Sequence, residues 1–102
     1  MQPQWITTQA QLTELVRSLE GARVIALDSE SDSIHHYHEK VCLIQLATEK
    51  GDVFLIDPLA LKNLDTFAPV MADASIEKVF HGADYDVATL RRDFAFTFRN
   101  LF

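Results

Sequence analysis

Apolar and polar residues follow a helical period in the first part of the chain. After Thr8, apolar residues recur every three or four positions up to Gly21, at Leu12, Leu15, Val16 and Leu19. This spacing is that of the buried face of an amphipathic helix. Thr8 is a suitable N-cap and Gly21 a suitable stop signal, so the sequence predicts one helix between these two residues.

Further along, four short apolar stretches predict β-strands, at residues 23–28, 41–48, 53–57 and 76–81. They are rich in Val, Ile, Leu and Phe and are bounded by turn residues. Residues 31–40 between the first two are polar and His-rich, and their pattern indicates a loop or an arm of a hairpin. The links between the first three strands favour an antiparallel meander.

Helices are predicted on both sides of the fourth strand. One covers residues 59–71, where Pro69 should kink or end it, and the other covers residues 83–93. A strand that follows a helix can return parallel to its neighbour in the sheet. The pattern therefore predicts an α/β fold, with a three-strand antiparallel meander, a helix, a parallel fourth strand and a final helix.

Length and composition fit one small domain with a core, because the chain has 102 residues of which 48% are hydrophobic. Its last nine residues, FAFTFRNLF, are unusually apolar for a chain end. We expect from this that the chain is a piece of a longer protein and that its apolar end promotes self-association. Trp5 and the phenylalanines are expected in the core.

Charge and targeting signals exclude some classes of protein. The net charge of −6 argues against a protein that coats nucleic acid electrostatically, although not against an enzyme that cuts it. The sequence has no apolar run of about 20 residues and no signal peptide, so no membrane association is expected. The single cysteine, Cys42, lies in an apolar stretch and predicts a buried, reduced thiol and a cytoplasmic protein.

The stretch VIALDSESDS, residues 24–33, leads a buried strand directly into carboxylates spaced two residues apart. Residues i and i+2 of a strand point to the same side, so Asp28 and Glu30 should face the same way, about 6.5–7 Å apart. This separation suits two divalent cations about 3.5–4 Å apart. The alternative is that these acids form an ordinary solvated strand end.

A second stretch, KVFHGADYDVATLRRDF, residues 78–94, leads from a strand through a turn into a helix. The strand should end at His81, and the helix should begin near Tyr85 with Asp84 as its N-cap. Asp86 would then project from the first helical turn. A third metal ligand could lie there if the helix packs beside the first strand.

Together these stretches resemble the DEDD 3′–5′ exonucleases, and within them the ribonuclease D branch. VIALDSES matches the first exonuclease motif, and VCLIQLAT…VFLIDPLAL matches the hairpin that follows it, including Gln45. In the second motif His81 precedes the essential acid, Asp86, by five residues. The resemblance runs from about Trp5 to the last residue.

The resemblance implies a ribonuclease H-like mixed sheet and hydrolysis of the 3′-terminal phosphodiester of single-stranded RNA or DNA, which releases nucleoside monophosphates. Two Mg²⁺ or Mn²⁺ ions would be involved. Asp28 would bind both ions, Glu30 the ion that activates water, and Asp86 would help to hold the second. The residues that would contact the substrate are Ser29, Ser31, His81 and Tyr85.

The chain departs from the family pattern in two respects. The third motif, a Tyr or His shortly before a final Asp, is absent, and no acid follows Asp93. Residues 1–102 would thus form the N-terminal part of an exonuclease domain and be inactive alone. In addition, Ser31 stands where the family usually has an apolar or aromatic residue.

Other functions remain open on the sequence. The chain could belong to a nuclease-dead relative that binds nucleic acid or a protein partner, or to an interaction module whose acids are only surface groups. The imidazoles of His35, His36 and His38 could bind zinc, although a solvated loop is the simpler interpretation. Tyr37 beside them could contact the substrate, whereas Arg91 and Arg92 are expected on a solvated helix face.

Overall fold

The computed structural model of the chain describes residues 2–32, 40–80 and 83–102. Within these ranges the chain forms five strands and three α-helices, and three of the strands follow one another directly. A short 3₁₀ turn, Asp65–Phe67, precedes α2. The elements are β1 Gln4–Ile6, α1 Gln9–Ser18, β2 Val24–Asp32, β3 Lys40–Thr48, β4 Val53–Ile56, α2 Ala68–Ala72, β5 Glu77–Phe80 and α3 Ala83–Phe94.

The strands form one mixed sheet in the order β1-β4-β3-β2-β5. The central strands β2, β3 and β4 are antiparallel neighbours, whereas β5 pairs parallel to β2 and β1 pairs parallel to β4. This confirms the predicted meander and the parallel fourth strand. β1 was not predicted, because three residues are too few to display a period.

The helices cover one face of the sheet. On this covered face, alternate strand residues are buried together with the apolar residues of α1, α2 and α3 in a single core. Its members include Ile25, Leu27, Ile44, Leu46, Ile56, Leu12, Leu15, Phe67, Met71 and Leu90. The opposite face, which we call the open face, carries no buried residue among those described; it is formed by Trp5, Ala26, Asp28, Glu30, Gln45, Ala47, Val53, Leu55 and Val79.

The predicted start of α1 is confirmed in detail. Thr8 is the N-cap, and its hydroxyl oxygen accepts a hydrogen bond from the Gln11 N–H at 3.1 Å. The Gln11 side-chain oxygen in turn accepts from the Thr8 N–H at 3.1 Å, which completes a capping box. Gly21, with a φ of +81°, lies in the turn that follows the helix.

The helix predicted at residues 59–71 is wrong for its first half. The Asp57 carboxylate accepts hydrogen bonds from the N–H groups of Leu59 and Ala60, at 2.9 and 3.2 Å, and this holds the chain in a turn. Helical structure begins only with the 3₁₀ turn and α2. Pro69 does not end a helix but lies in the first turn of α2, where its missing N–H costs nothing.

Most of the apolar C-terminal segment packs inside the molecule. Phe96 is buried, with its ring centroid 6.1 Å from that of Phe67, and the Phe98 ring lies 5.9 Å from that of Phe80. Exposed apolar surface at this end is limited to Leu101 and Phe102, which are 41% and 80% exposed.

Three predictions of burial are wrong, those for Phe102, Trp5 and Cys42. Phe102 is 80% exposed at the chain end, whereas the other phenylalanines are buried or half-buried. Trp5 is 55% exposed, because it lies on an edge strand and projects from the open face. Cys42 is only half-buried, because it occupies an irregular position in β3 that is described below.

Lys78 fastens the end of the chain to the sheet. Its backbone accepts a hydrogen bond from the Phe102 N–H and donates one to the Asn100 carbonyl, both at 2.9 Å. Its side chain is fully buried, and the ammonium donates to the carbonyl oxygens of Asp73 and Arg99. Burial lowers the pKa of Lys78 below its usual value.

None of the helices in the described part of the chain has the length and apolar character needed to cross a bilayer.

Candidate active site

The acids of β2 project from the open face within the strand, which continues to Asp32 instead of ending at Asp28 as the sequence predicts. Asp28 and Glu30 are exposed, whereas Ile25 and Leu27 alternate with them on the covered face and are buried. This confirms that the two carboxylates share one side of the strand. Ile25 and Leu27 hold β2 in the core, so the opposite face of the strand can carry charged residues.

A β-bulge follows Glu30. Glu30 pairs with Leu43, but the next residue, Ser31, pairs with Val41, so that Cys42 is the extra residue of β3. The Cys42 thiol donates a hydrogen bond to the Glu30 carbonyl oxygen at 3.4 Å. Bulges beside functional sites change the direction in which a side chain projects, and this one lies directly beside the second acid.

The C-terminal end of α3 is attached to the bulge through Asp93. Its carboxylate accepts a hydrogen bond from the Val41 N–H at 2.8 Å and one from the Arg92 guanidinium at 2.7 Å. Partial burial would raise the pKa of Asp93, but these hydrogen bonds and the nearby charges of Arg92 and Lys40 outweigh it, so the pKa lies below the ordinary value of 3.8.

Asp86 approaches the acids of β2 from the covered side. Since α3 begins at Ala83, Asp84 lies within its first turn and is not the N-cap that the sequence predicts. Asp86 is only 4% exposed, and its Oδ1 accepts a hydrogen bond from the Ser29 hydroxyl at 2.9 Å. The Ser29 N–H donates to Asp28 Oδ1, also at 2.9 Å. Ser29 therefore connects the acid of β2 to the acid of α3.

The donor chemistry of these acids fits hard divalent cations. Asp28, Glu30 and Asp86 offer carboxylate oxygens, the ligands that Mg²⁺ and Mn²⁺ prefer. In the described ranges, however, no three acidic, histidine or cysteine side chains are close enough together to form a complete metal site. The exposed pair on β2 and the buried acid on α3 thus supply suitable ligands from two sides of one strand.

Comparison with known proteins identifies the family. A sequence profile described as 3′–5′ exonuclease matches residues 3–102, which is nearly the whole chain. The chain belongs to the 3′–5′ exonuclease domain family. Among curated relatives of this domain, Protein RRP6-like 3 of Arabidopsis thaliana is 41% identical over 99 residues, which cover 96% of the chain. The exosome complex exonuclease RRP6 of Saccharomyces cerevisiae is 38% identical over 92 residues, which cover 89% of it.

Solved structures show the same fold for the exonuclease domain. The catalytic core of RRP6 from Trypanosoma brucei is 34% identical, with a TM-score of 0.91 over 99% of the chain. Escherichia coli RNase D is 30% identical, with a TM-score of 0.88 over 99% of the chain. The ribonuclease H-like fold is therefore confirmed. The chain spans 11–12% of the length of the two curated relatives and 27–28% of the chains in the two structures.

Several residues to which the sequence analysis gave a role lie outside the described part of the chain. His81, the side chain of Tyr85 and the cluster of His35, His36 and His38 lie outside the described residues, and so does Tyr37. Ser31 is described: it is half-buried at the bulge, next to Glu30.

Gln45 is a neighbour of the site to which the sequence analysis gave no role. It pairs with Asp28 across β2 and β3, and it is exposed on the same open face. Both residues line a depression of about 420 Å³ whose floor is formed by small residues such as Ala26 and Ala47. The register of the predicted meander could have revealed this proximity, because cross-strand partners share a face.

Proposed function

We propose that the protein carrying this exonuclease domain hydrolyses the 3′-terminal phosphodiester of single-stranded RNA or DNA, using two Mg²⁺ or Mn²⁺ ions, and releases nucleoside monophosphates. One observation carries the proposal: Asp28 and Glu30 project together from the exposed face of β2, and Ser29 joins Asp28 to Asp86. A fold gains nothing in stability from placing like charges together, so this arrangement indicates a function.

The roles of the acids follow from their positions. Asp28 and Glu30 would hold the ions from the open side of β2, and Asp86 would support the same site from α3. Bound ions of this kind supply Lewis-acid stabilisation of the phosphate and lower the pKa of a water molecule. The residues themselves would fix the position of the phosphodiester on the open face of β2, where Asp28 and Glu30 are exposed.

Two structural relatives support the choice of substrate and ion. A Trypanosoma brucei RNase D that is 28% identical, with a TM-score of 0.84, is known in complex with RNA U12. The EXD2 exonuclease domain, 25% identical with a TM-score of 0.80, was soaked in Mg. We therefore favour RNA over DNA, and retain Ser31, His81 and Tyr85 as the proposed contacts to its 3′ end. The cytoplasm remains the proposed compartment, on the strength of the single reduced cysteine alone.

The fourth acidic ligand expected for a DEDD site is not among residues 1–102. No carboxylate follows Asp93 in the sequence, so the acid that completes a DEDD set is not supplied by these residues. We propose that the chain alone has little activity. The alternative is a nuclease-dead relative that only binds nucleic acid or a protein partner.

The decisive experiment measures release of labelled nucleoside monophosphate from a single-stranded RNA whose 3′-terminal nucleotide is labelled, by the natural protein that contains this chain. Asp28→Asn and Asp86→Asn should each reduce kcat/KM by at least about a hundredfold, because metal ions contribute several kcal/mol to such reactions. Glu49→Gln is the matched control, because Glu49 is an exposed acid in the turn at the far end of β3.

Unchanged turnover in Asp28→Asn would overturn the assignment of that residue as a metal ligand. A wild-type protein that binds the RNA but releases no nucleotide in Mg²⁺ or Mn²⁺ would favour the nuclease-dead relative.

A further inference from the structure

We propose that Ser29 is a positioning residue that sets the carboxylate of Asp86 relative to Asp28, and so organises the metal site from between the two acids. The inference rests on the proposed function, because it assumes that these acids hold cations. It assigns Ser29 a role different from substrate contact.

Ser29 is the only residue between the two acids of the Asp-Ser-Glu motif, and it uses both of its donors on acids. Its backbone N–H donates to Asp28 Oδ1 and its hydroxyl to Asp86 Oδ1, each at 2.9 Å. The second bond joins β2 to α3 across 57 positions of sequence. The relative position of two acids on separate elements is thereby fixed through one residue.

Burial makes this hydroxyl important. Asp86 is 4% exposed, and a buried carboxylate needs hydrogen-bond donors to offset the loss of water. Ser29 projects to the covered face, opposite to its neighbours Asp28 and Glu30, and so reaches Asp86 where they do not. The hydroxyl donates to one carboxylate oxygen of Asp86, Oδ1, and this directional bond favours one orientation of the carboxyl group.

The same geometry argues against Ser29 as a donor to the substrate. A serine hydroxyl has one hydrogen to donate, and in Ser29 that hydrogen is directed to Asp86. A phosphate oxygen could be bound only by breaking this bond. Groups that orient metal-binding side chains typically contribute ten- to hundredfold to metal affinity. This range is the effect expected from Ser29.

The test compares Ser29→Thr with Ser29→Val, each made in the natural protein that contains this chain, in a Mn²⁺ titration followed by electron paramagnetic resonance. The two substituted side chains have nearly the same size and both favour strands, but only Thr retains the hydroxyl. Ser29→Thr should bind Mn²⁺ like the wild type, and Ser29→Val about ten- to hundredfold more weakly. Ser18→Ala is the control, because it removes a hydroxyl that donates to a backbone carbonyl on α1, away from the acids.

Each outcome has one meaning. Equal affinities of Ser29→Thr and Ser29→Val would overturn the positioning role, while loss of binding in Asp28→Asn would still support the metal site. A wild-type protein that binds no Mn²⁺, or binds it as Asp28→Asn does, would overturn the metal site itself and with it the inference. If thermal unfolding shows that Ser29→Val does not fold, Ser29→Ala takes its place and the same comparison with Ser29→Thr decides.

Discussion

At the scale of single residues, some features of the site can be predicted from neighbouring residues in the sequence, whereas others depend on contacts that form only in the folded chain. Asp28 and Glu30 were predictable, because strand alternation alone places them together. The bonds of Ser29 to Asp86 and of Val41 to Asp93 join residues 57 and 52 positions apart. No local pattern contains such contacts, so the roles of Ser29 and Asp93 required the structure.

Asp93 should make the free energy of unfolding depend on pH in the acidic range. Its pKa is lowered in the folded chain, so its stabilisation is complete well above 3.8 and is lost as the pH falls through the lower folded pKa. Asp93→Asn should reduce the free energy of unfolding by about 1 kcal/mol at pH 7, because an ionised acceptor is replaced by a neutral one.

Urea unfolding at pH 7 and at pH 2.5 measures this effect: the difference between wild type and Asp93→Asn should shrink in acid. Asp65→Asn, at an exposed acid of the 3₁₀ turn, is the control. A difference that stays constant with pH would mean that the carboxylate charge of Asp93 is not what stabilises the bulge.

At the scale of elements, local chemistry decided which predictions are confirmed. The N-cap of α1 was readable because Thr8 and Gln11 are close in sequence. The start of the predicted second helix was misplaced because the Asp57 carboxylate captures two N–H groups, which the apolar spacing did not reveal. β1 escaped detection because it owes its existence to pairing with β4 rather than to its own pattern.

The capping box of α1 makes a measurable contribution. Thr8→Ala should lower the free energy of unfolding by about 1 kcal/mol, because the N–H of Gln11 loses its acceptor. For a domain of this size the unfolding midpoint should fall by roughly 4–8 °C. Thr13→Ala, at an exposed position in the middle of the same helix, should leave the midpoint unchanged or raise it slightly. Equal effects of both substitutions would contradict the capping role.

At the scale of the whole molecule, the arrangement of strands was predictable but the choice of covered face was not. Link lengths gave the meander and the parallel strand, which the structure confirms. The central run of β3, however, is apolar at consecutive positions, Cys42, Leu43 and Ile44, so that its alternation does not identify the buried side. Trp5 could not be assigned to the open face from sequence, because β1 was not predicted and its register is set by pairing with β4.

Self-association through the apolar chain end remains a prediction, and it concerns the surface of the whole molecule. We expect Leu101→Ser combined with Phe102→Ser to weaken dimerisation by more than about tenfold, because burial of even one such side chain is worth about 1.5–3 kcal/mol. Sedimentation equilibrium measures the effect, with Leu59→Ser as control at a residue that is 64% exposed elsewhere. Dimerisation that persists in the double variant but is lost in Trp5→Ser would locate the contact on the open face instead.

The buried ammonium of Lys78 has a consequence for chemical labelling. The other three lysines, Lys40, Lys50 and Lys62, are exposed, so reagents that acylate amines reach them in the native fold. Lys78 is enclosed between the carbonyl oxygens of Asp73 and Arg99 and becomes reactive only when the chain end lifts away from β5. The rate at which Lys78 is acylated thus reports local opening at that edge of the sheet, and the three exposed lysines serve as internal references.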